Sequence, residues 1–86
     1  MSILIKIDGT KEIIDPKDGN KFSLEELQEI VEGYIEFIHL PDRPDKTLVV
    51  NEEGKLINKE YNPAASILAQ RPIVGQVALI DNSKIK

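Results

Sequence analysis

The stretch Lys17-Asp18-Gly19-Asn20-Lys21-Phe22-Ser23-Leu24-Glu25-Glu26-Leu27-Gln28-Glu29-Ile30-Val31-Glu32-Gly33-Tyr34-Ile35-Glu36 encodes a turn, a capped amphipathic helix, its stop and the entry into a strand. The Ser23 hydroxyl can accept from the open N–H groups of a first helical turn. Glu26 follows three residues later, the spacing of a capping box. Phe22 before the cap and Leu27 at the fourth helical position fit a hydrophobic staple. Leu24, Leu27, Ile30, Val31 and Tyr34 recur at three- and four-residue intervals and define one apolar face, with Glu25, Gln28, Glu29 and Glu32 opposite. Gly33 stands where a helix commonly ends in the left-handed conformation. The spacing predicts a helix between Ser23 and Gly33 that buries the Leu24–Tyr34 stripe.

Working outward, Ile3, Ile5 and Ile7 alternate with Ser2, Leu4 and Lys6, the period of a strand with one apolar face. Asp8-Gly9 is a tight-turn pair, and Lys11 to Asp15 reads as the return strand, ended by Pro16. Beyond the helix, Tyr34 to Leu40 is a β-branched and aromatic run. Pro41 to Asp45 is a rigid turn, and Thr47 to Asn51 is the expected antiparallel partner. Glu52 to Lys55 turns again, and Leu56 to Tyr61 reads as irregular or as a short edge strand. Asn62 followed by Pro63 is a helix start, because Asn caps and Pro is preorganised for the first helical position. A short helix from Ala64 to Gln70 must then close before Pro72. Ile73 to Ile80 is the most continuously apolar strand and so is expected at the centre of a sheet. Asp81 to Lys86 is expected to fray. The order ββαββαβ gives a single α+β domain over residues 1–86. Its antiparallel or mixed sheet has about five strands covered by one main helix. A β-grasp-like arrangement, which shares the first three elements and the length, is the alternative.

Composition removes several chemistries. The 86-residue chain is 41% apolar and 30% charged, proportions of an ordinary folded domain. Cysteine is absent, which excludes disulfides, thiolate metal sites and cysteine nucleophiles. A formal net charge of −4 disfavours generic nucleic-acid binding. Lys6, Asp8 and Lys11 interrupt the N-terminal apolar run before it could serve as a secretory core. No run approaches the ~20 apolar residues of a membrane span. The expectation is a cytoplasmic protein with no membrane contact.

Catalytic constellations are sparse. His39 is the only histidine. A hydroxyl nucleophile at Ser23, Ser66 or Ser83 would need it, yet no nucleophile-elbow sequence surrounds any of them, and Ser23 is explained as a cap. His39 reads more simply as a strand residue, and no carboxylates sit beside it at metal-ligand spacing. The Asp15 to Asn20 loop has Pro16 where a calcium loop needs an oxygen ligand. No glycine-rich phosphate loop is present. The expectation is a non-enzymatic protein without cofactor or metal. Two polar groupings remain. Glu25, Glu29 and Glu32 on the acidic helix face could meet a basic partner, although a solvated surface is the simpler explanation. Asn51 and Glu52, with Tyr61, Asn62 and Arg71, form the better candidate site. Tyr61 could stack on a base, Arg71 could hold a phosphate or carboxylate, and a helix N-terminus near Asn62 favours anions. Turns and caps are the competing explanation.

The motif Lys17-Asp18-Gly19-x-x-Phe22-Ser23-Leu24-Glu25-Glu26-Leu27-Gln28, continued by Gly33-Tyr34-Ile35-Glu36, resembles a family of small proteins of unknown function found on bacteriophages and mobile elements. The likeness continues through Leu48 to Leu56, Asn62-x-x-Ala65 and Ile73-Val74-Gly75. The resemblance implies a protein made in a host cytoplasm during infection or plasmid carriage, and it carries no activity. Two functional expectations follow. One is sequestration of a small nucleotide-type signalling ligand in counter-defence, at Asn51, Glu52, Tyr61, Asn62 and Arg71, with a homo-oligomer as a possible form. The other is a module that inhibits or modifies a host protein through the acidic helix or through an open sheet edge at Met1 to Ile7.

Overall fold

Alternating side chains at the N-terminus form β1 (Ser2–Ile5), which turns back into β2 (Lys11–Ile14). At the tip the Asp8 carboxylate accepts from Thr10 N–H at 2.8 Å, and Gly9 adopts φ +90°, a conformation that favours glycine. The structure is a computed structural model that describes residues 1–54 and 58–85. Helix α1 (Leu24–Val31) follows, then β3 (Ile35–His39) and β4 (Lys46–Asn51), joined by successive turns closed by Arg43 N–H to Leu40 O (3.0 Å) and Lys46 N–H to Arg43 O (3.1 Å). Helix α2 (Pro63–Ala69) and β5 (Val77–Asp81) complete the chain.

The five strands lie in the order β2-β1-β5-β4-β3, and every pairing is antiparallel. The apolar β5 is therefore central, as its composition predicts. The chain is α+β, with each sheet face covered separately. Val49, Ala78 and Ile80 turn to one face and are buried with Phe22, Leu27 and Val31 of the α1 region. Ile5, Leu48, Val50, Val77 and Leu79 turn to the other and are buried with Ala65 and Ala69 of α2 and with Ile73. The period of two in β4 and β5 thus supplies both cores. Each large side chain buried in this way contributes roughly 1.5–3 kcal/mol before ordering entropy is subtracted.

Several local expectations are corrected. The expected main helix, α1, covers one face of the sheet, and the expected short helix, α2, lies on the other. The capping box at Ser23 and Glu26 is present, and Phe22 and Leu27 are buried together. The buried stripe is narrower than the sequence period, because Leu24 and Tyr34 are exposed. The left-handed residue that ends α1 is Glu32 (φ +63°), not Gly33. Gly33 is small for a different reason. A Cβ there would lie 2.7 Å from the Asn51 side-chain nitrogen. The last strand begins at Val77 and not at Ile73, because Gly75 takes φ +79° and turns Ile73–Gln76 out of the sheet. Residues Asn82–Lys84 form a 3-10 turn instead of fraying, and Ile85 makes a parallel bridge with Phe22. Met1 to Ile7 offers no open edge, since β1 is flanked by β2 and β5. Of the segment Leu56 to Tyr61, residues 56 and 57 lie outside the described residues, and Tyr61 makes a single antiparallel bridge with Val74.

Candidate ligand-binding hollow

On the α2 face, beside the edge strand β3, a hollow of about 350 Å³ opens to solvent. That is at the lower end of the range for small-molecule sites. Its floor is made by Ile38 and Val50, which share one face of the sheet because they are offset by two residues across the Glu36–Val50 and Ile38–Leu48 pairs. Its wall is the Arg71–Val74 segment. That segment is fixed from the α2 side. Gln70 takes a left-handed conformation (φ +57°) and reverses the chain, and the Ser66 hydroxyl accepts from Ile73 N–H at 2.8 Å. The Asn51–Gly54 turn closes the end. A Cβ on Gly54 would meet the Val74 side chain at 2.8 Å, so only glycine lets the turn and wall touch.

Among the described residues, three charged side chains stand at the rim: Glu36, Glu52 and Arg71. The Arg71 guanidinium lies 3.7 Å from the Glu36 carboxylate, with both side chains about half exposed. A contact of that length in that setting holds neither group firmly. Arg71 can therefore be recruited by an incoming anion.

The predicted residues divide accordingly. Asn51, Glu52 and Arg71 come together around the hollow. The Asn51 amide is largely committed inside the protein, donating to Val31 O at 3.0 Å and accepting from Glu53 N–H at 2.7 Å. Asn62 is fully buried and its carboxamide caps α2, away from any ligand approach. Tyr61 is exposed and is not among the described residues that line the hollow. Glu36, Ile38 and Val50 were missed. The alternation of β3 carries the signal, because Glu36 shares a face with the apolar Ile38.

On α1 the acids are partly engaged. Glu29 lies 3.7 Å from Lys17, whereas Glu32 binds Lys59 at 2.8 Å, which holds its carboxyl below the usual carboxylate range. Glu26 is likewise held low, first by the Ser23 backbone N–H it accepts and then by that of Lys17. Glu25 is exposed on the same helix. His39 is exposed on β3 beside Phe37, Thr47 and Asn82. Among the described residues no group of three His, Cys, Asp or Glu side chains could hold a metal ion, and no helix is long and apolar enough to cross a membrane.

In geometry the chain is a small α+β domain with a half-exposed guanidinium beside an apolar floor. By sequence, residues 1–84 match the domain of unknown function DUF3846, and the chain belongs to that family. No curated protein and no solved structure matches it.

Proposed function

We propose that this chain is a non-catalytic binding protein whose hollow takes a small ligand of nucleotide type. The observation that carries the reading is Arg71, loosely held at 3.7 Å from Glu36 above the floor of Ile38 and Val50. A planar base fits an apolar floor, and a guanidinium can take a phosphate through two parallel hydrogen bonds. The Glu36 and Glu52 carboxylates can accept from sugar hydroxyls or base N–H groups. They also repel an unaccompanied anion, which favours a ligand that brings donors together with its phosphate. Sequestration of such a ligand in a host cytoplasm, as counter-defence on a phage or mobile element, is the role that joins this hollow to the resemblance of Lys17–Glu36. The competing role, occupancy of a host protein by the acidic helix, is weakened by Lys59, which already engages Glu32 at 2.8 Å.

Calorimetry against adenine, guanine and cyclic nucleotides tests the proposal. One class is expected to bind with a dissociation constant below ~100 μM and to stabilise the fold by about 2.7 kcal/mol at a hundredfold excess over that constant. Arg71→Ala is expected to weaken it tenfold or more, a loss of about 1.4 kcal/mol or greater. Binding of none of them, or equal binding by Arg71→Ala, removes the assignment. Charge reversal at Glu25 and Glu29 leaves ligand binding unchanged under this reading and abolishes partner capture under the competing one.

A further inference from the structure

The two edges of the sheet are not equivalent. β2 is four residues long, opens with the charged pair Lys11 and Glu12, and runs into Asp15-Pro16, the features with which proteins blunt an edge. β3, Ile35-Glu36-Phe37-Ile38-His39, has neither lysine nor proline, and Phe37 at its midpoint is 52% exposed. Its hydrogen-bonding pattern is defined. Glu52 N–H donates to Tyr34 O at 2.9 Å in the register that pairs Ile35 with Asn51 and Phe37 with Val49. Bonded and non-bonded pairs alternate in an antiparallel ladder. Glu36 and Ile38 therefore bond to β4, while the N–H and C=O groups of Ile35, Phe37 and His39 point out of the sheet.

These outward groups are arranged symmetrically about Phe37. We propose that β3 pairs antiparallel with β3 of a second copy, Phe37 opposite Phe37 and Ile35 opposite His39, and that this pairing walls the hollow on its open side. That register uses every outward donor and acceptor of both strands, whereas shifting it by two residues leaves some unpaired. The two Phe37 rings meet on the α1 face as a cross-strand aromatic pair. On the α2 face each copy brings Glu36 with the Arg71 guanidinium 3.7 Å away, so a cation stands within reach of each carboxylate at the seam. The same face carries the rim of the hollow. Glu36 and Ile38 of the second strand then stand beside Glu36 and Ile38 of the first, and a ligand in one hollow touches both copies. This walling rests on the ligand reading above; the strand pairing does not.

Light scattering on ligand-free protein at ~100 μM chain, where even a micromolar pair is populated, is expected to give twice the chain mass. Phe37→Lys and Phe37→Pro are expected to give the single-chain mass with unchanged circular dichroism. Proline removes only an N–H that faces away from β4, so the β3–β4 ladder survives. Ile13→Lys on the opposite edge is expected to leave the pair intact. Phe37→Cys places the only thiol of the chain on the two-fold axis. Paired Cα atoms about 5.5 Å apart there lie within disulfide reach, so mild oxidation is expected to cross-link it. A single-chain mass for the wild type, loss of the pair in Ile13→Lys instead of the Phe37 variants, or a paired Phe37→Cys that resists cross-linking overturns the assignment. For the walling, the nucleotide class that binds wild type is expected to bind Phe37→Lys at least tenfold more weakly, although residue 37 faces away from the hollow. Equal affinity overturns the walling. A protein that pairs through β3 but binds no nucleotide overturns the ligand reading and the walling with it, and leaves the pairing standing.

Discussion

The carboxamide of Asn62 donates to Ile5 O at 3.2 Å and Gly75 O at 2.8 Å, and accepts from Ala65 N–H at 3.1 Å. The residue's own backbone N–H donates to Ile73 O at 2.9 Å. One side chain therefore ties the end of β1, the Gly75 turn and the start of α2, with none of its surface in water. Removing it leaves the Gly75 carbonyl and a helix N–H without the partner they have here, and takes one donor from Ile5 O, which also faces Val77 in the ladder. Each orphaned group carries its full desolvation penalty, and the lost cap adds to it. Asn62→Ala is expected to lower the unfolding free energy by roughly 2–4 kcal/mol in urea titration. Asn62→Asp keeps the cap acceptor but sets a carboxyl oxygen against the Ile5 and Gly75 carbonyls in a site closed to water, so it is expected to cost at least as much as alanine. A cost under ~0.5 kcal/mol for Asn62→Ala would show that water replaces the amide. The same residue shows why a helix-start signal is weak evidence for a ligand site: the features that make Asn a cap also make it a brace.

Between elements, β4 and β5 are clasped at one end by Lys46 and Asp81, a contact that the Met1 amino group joins. The Asp81 carboxyl is held below the ordinary carboxylate value, chiefly by the hydrogen bond from Lys46. Lys46 is raised above the ordinary amine value, chiefly by the same bond. For Asp81 the unfolded chain holds its proton more tightly than the native one. Its stabilisation is therefore present above pH ~4 and is lost as pH falls through the depressed native value. Lys46 acts in the opposite sense. Its contribution is present below pH ~10 and fades as pH rises through the elevated native value. Asp81→Asn is expected to lower the thermal midpoint at pH 7 and to flatten its fall between pH 4 and pH 2; an unchanged slope would show that the clasp is not ionic. The elements themselves were largely legible because their signals are local. Ser23 with Glu26, Asn62 with Pro63, and Asp8-Gly9 each announce a boundary within four residues. Long-range contacts decided the rest. Gly33 looked like a left-handed stop, but it is small because Asn51, far along the chain, needs the space. Ile73 and Val74 looked like strand, yet Gly75 turns them out to wall the hollow. Arg71 and Asn51 could be guessed as site residues by type. The alternation of β3 puts Glu36 and Ile38 on one face, but it does not say that this face is next to the Arg71 segment, and their relevance depends on that.

At the scale of the whole molecule, β5 is the partition between two cores. Leu79 is buried on the α2 side and Ile80 on the α1 side, although they are neighbours in sequence. Truncating either removes methylenes from a separate, tightly packed layer, at roughly 2–5 kcal/mol for each substitution to alanine. A domain of this size has about 5–10 kcal/mol to lose. If the sheet transmits the loss, Leu79→Ala and Ile80→Ala each shift the urea midpoint of the entire chain, with circular dichroism and Tyr fluorescence moving together in one transition. The side chains share no core, so their costs are expected to add to within ~0.5 kcal/mol. The double variant then falls close to the unfolding threshold. Two transitions in Ile80→Ala, with α1 melting before the sheet, would instead mean that the α1 layer is an accessory to a domain held by α2. The strand order argues against this: α1 follows β2 at one edge of the sheet and precedes β3 at the other, so the chain cannot release α1 without freeing the connection between both edges. The bridge from Phe22 to Ile85 fastens the same layer to the end of the central strand. Coincident transitions are therefore expected.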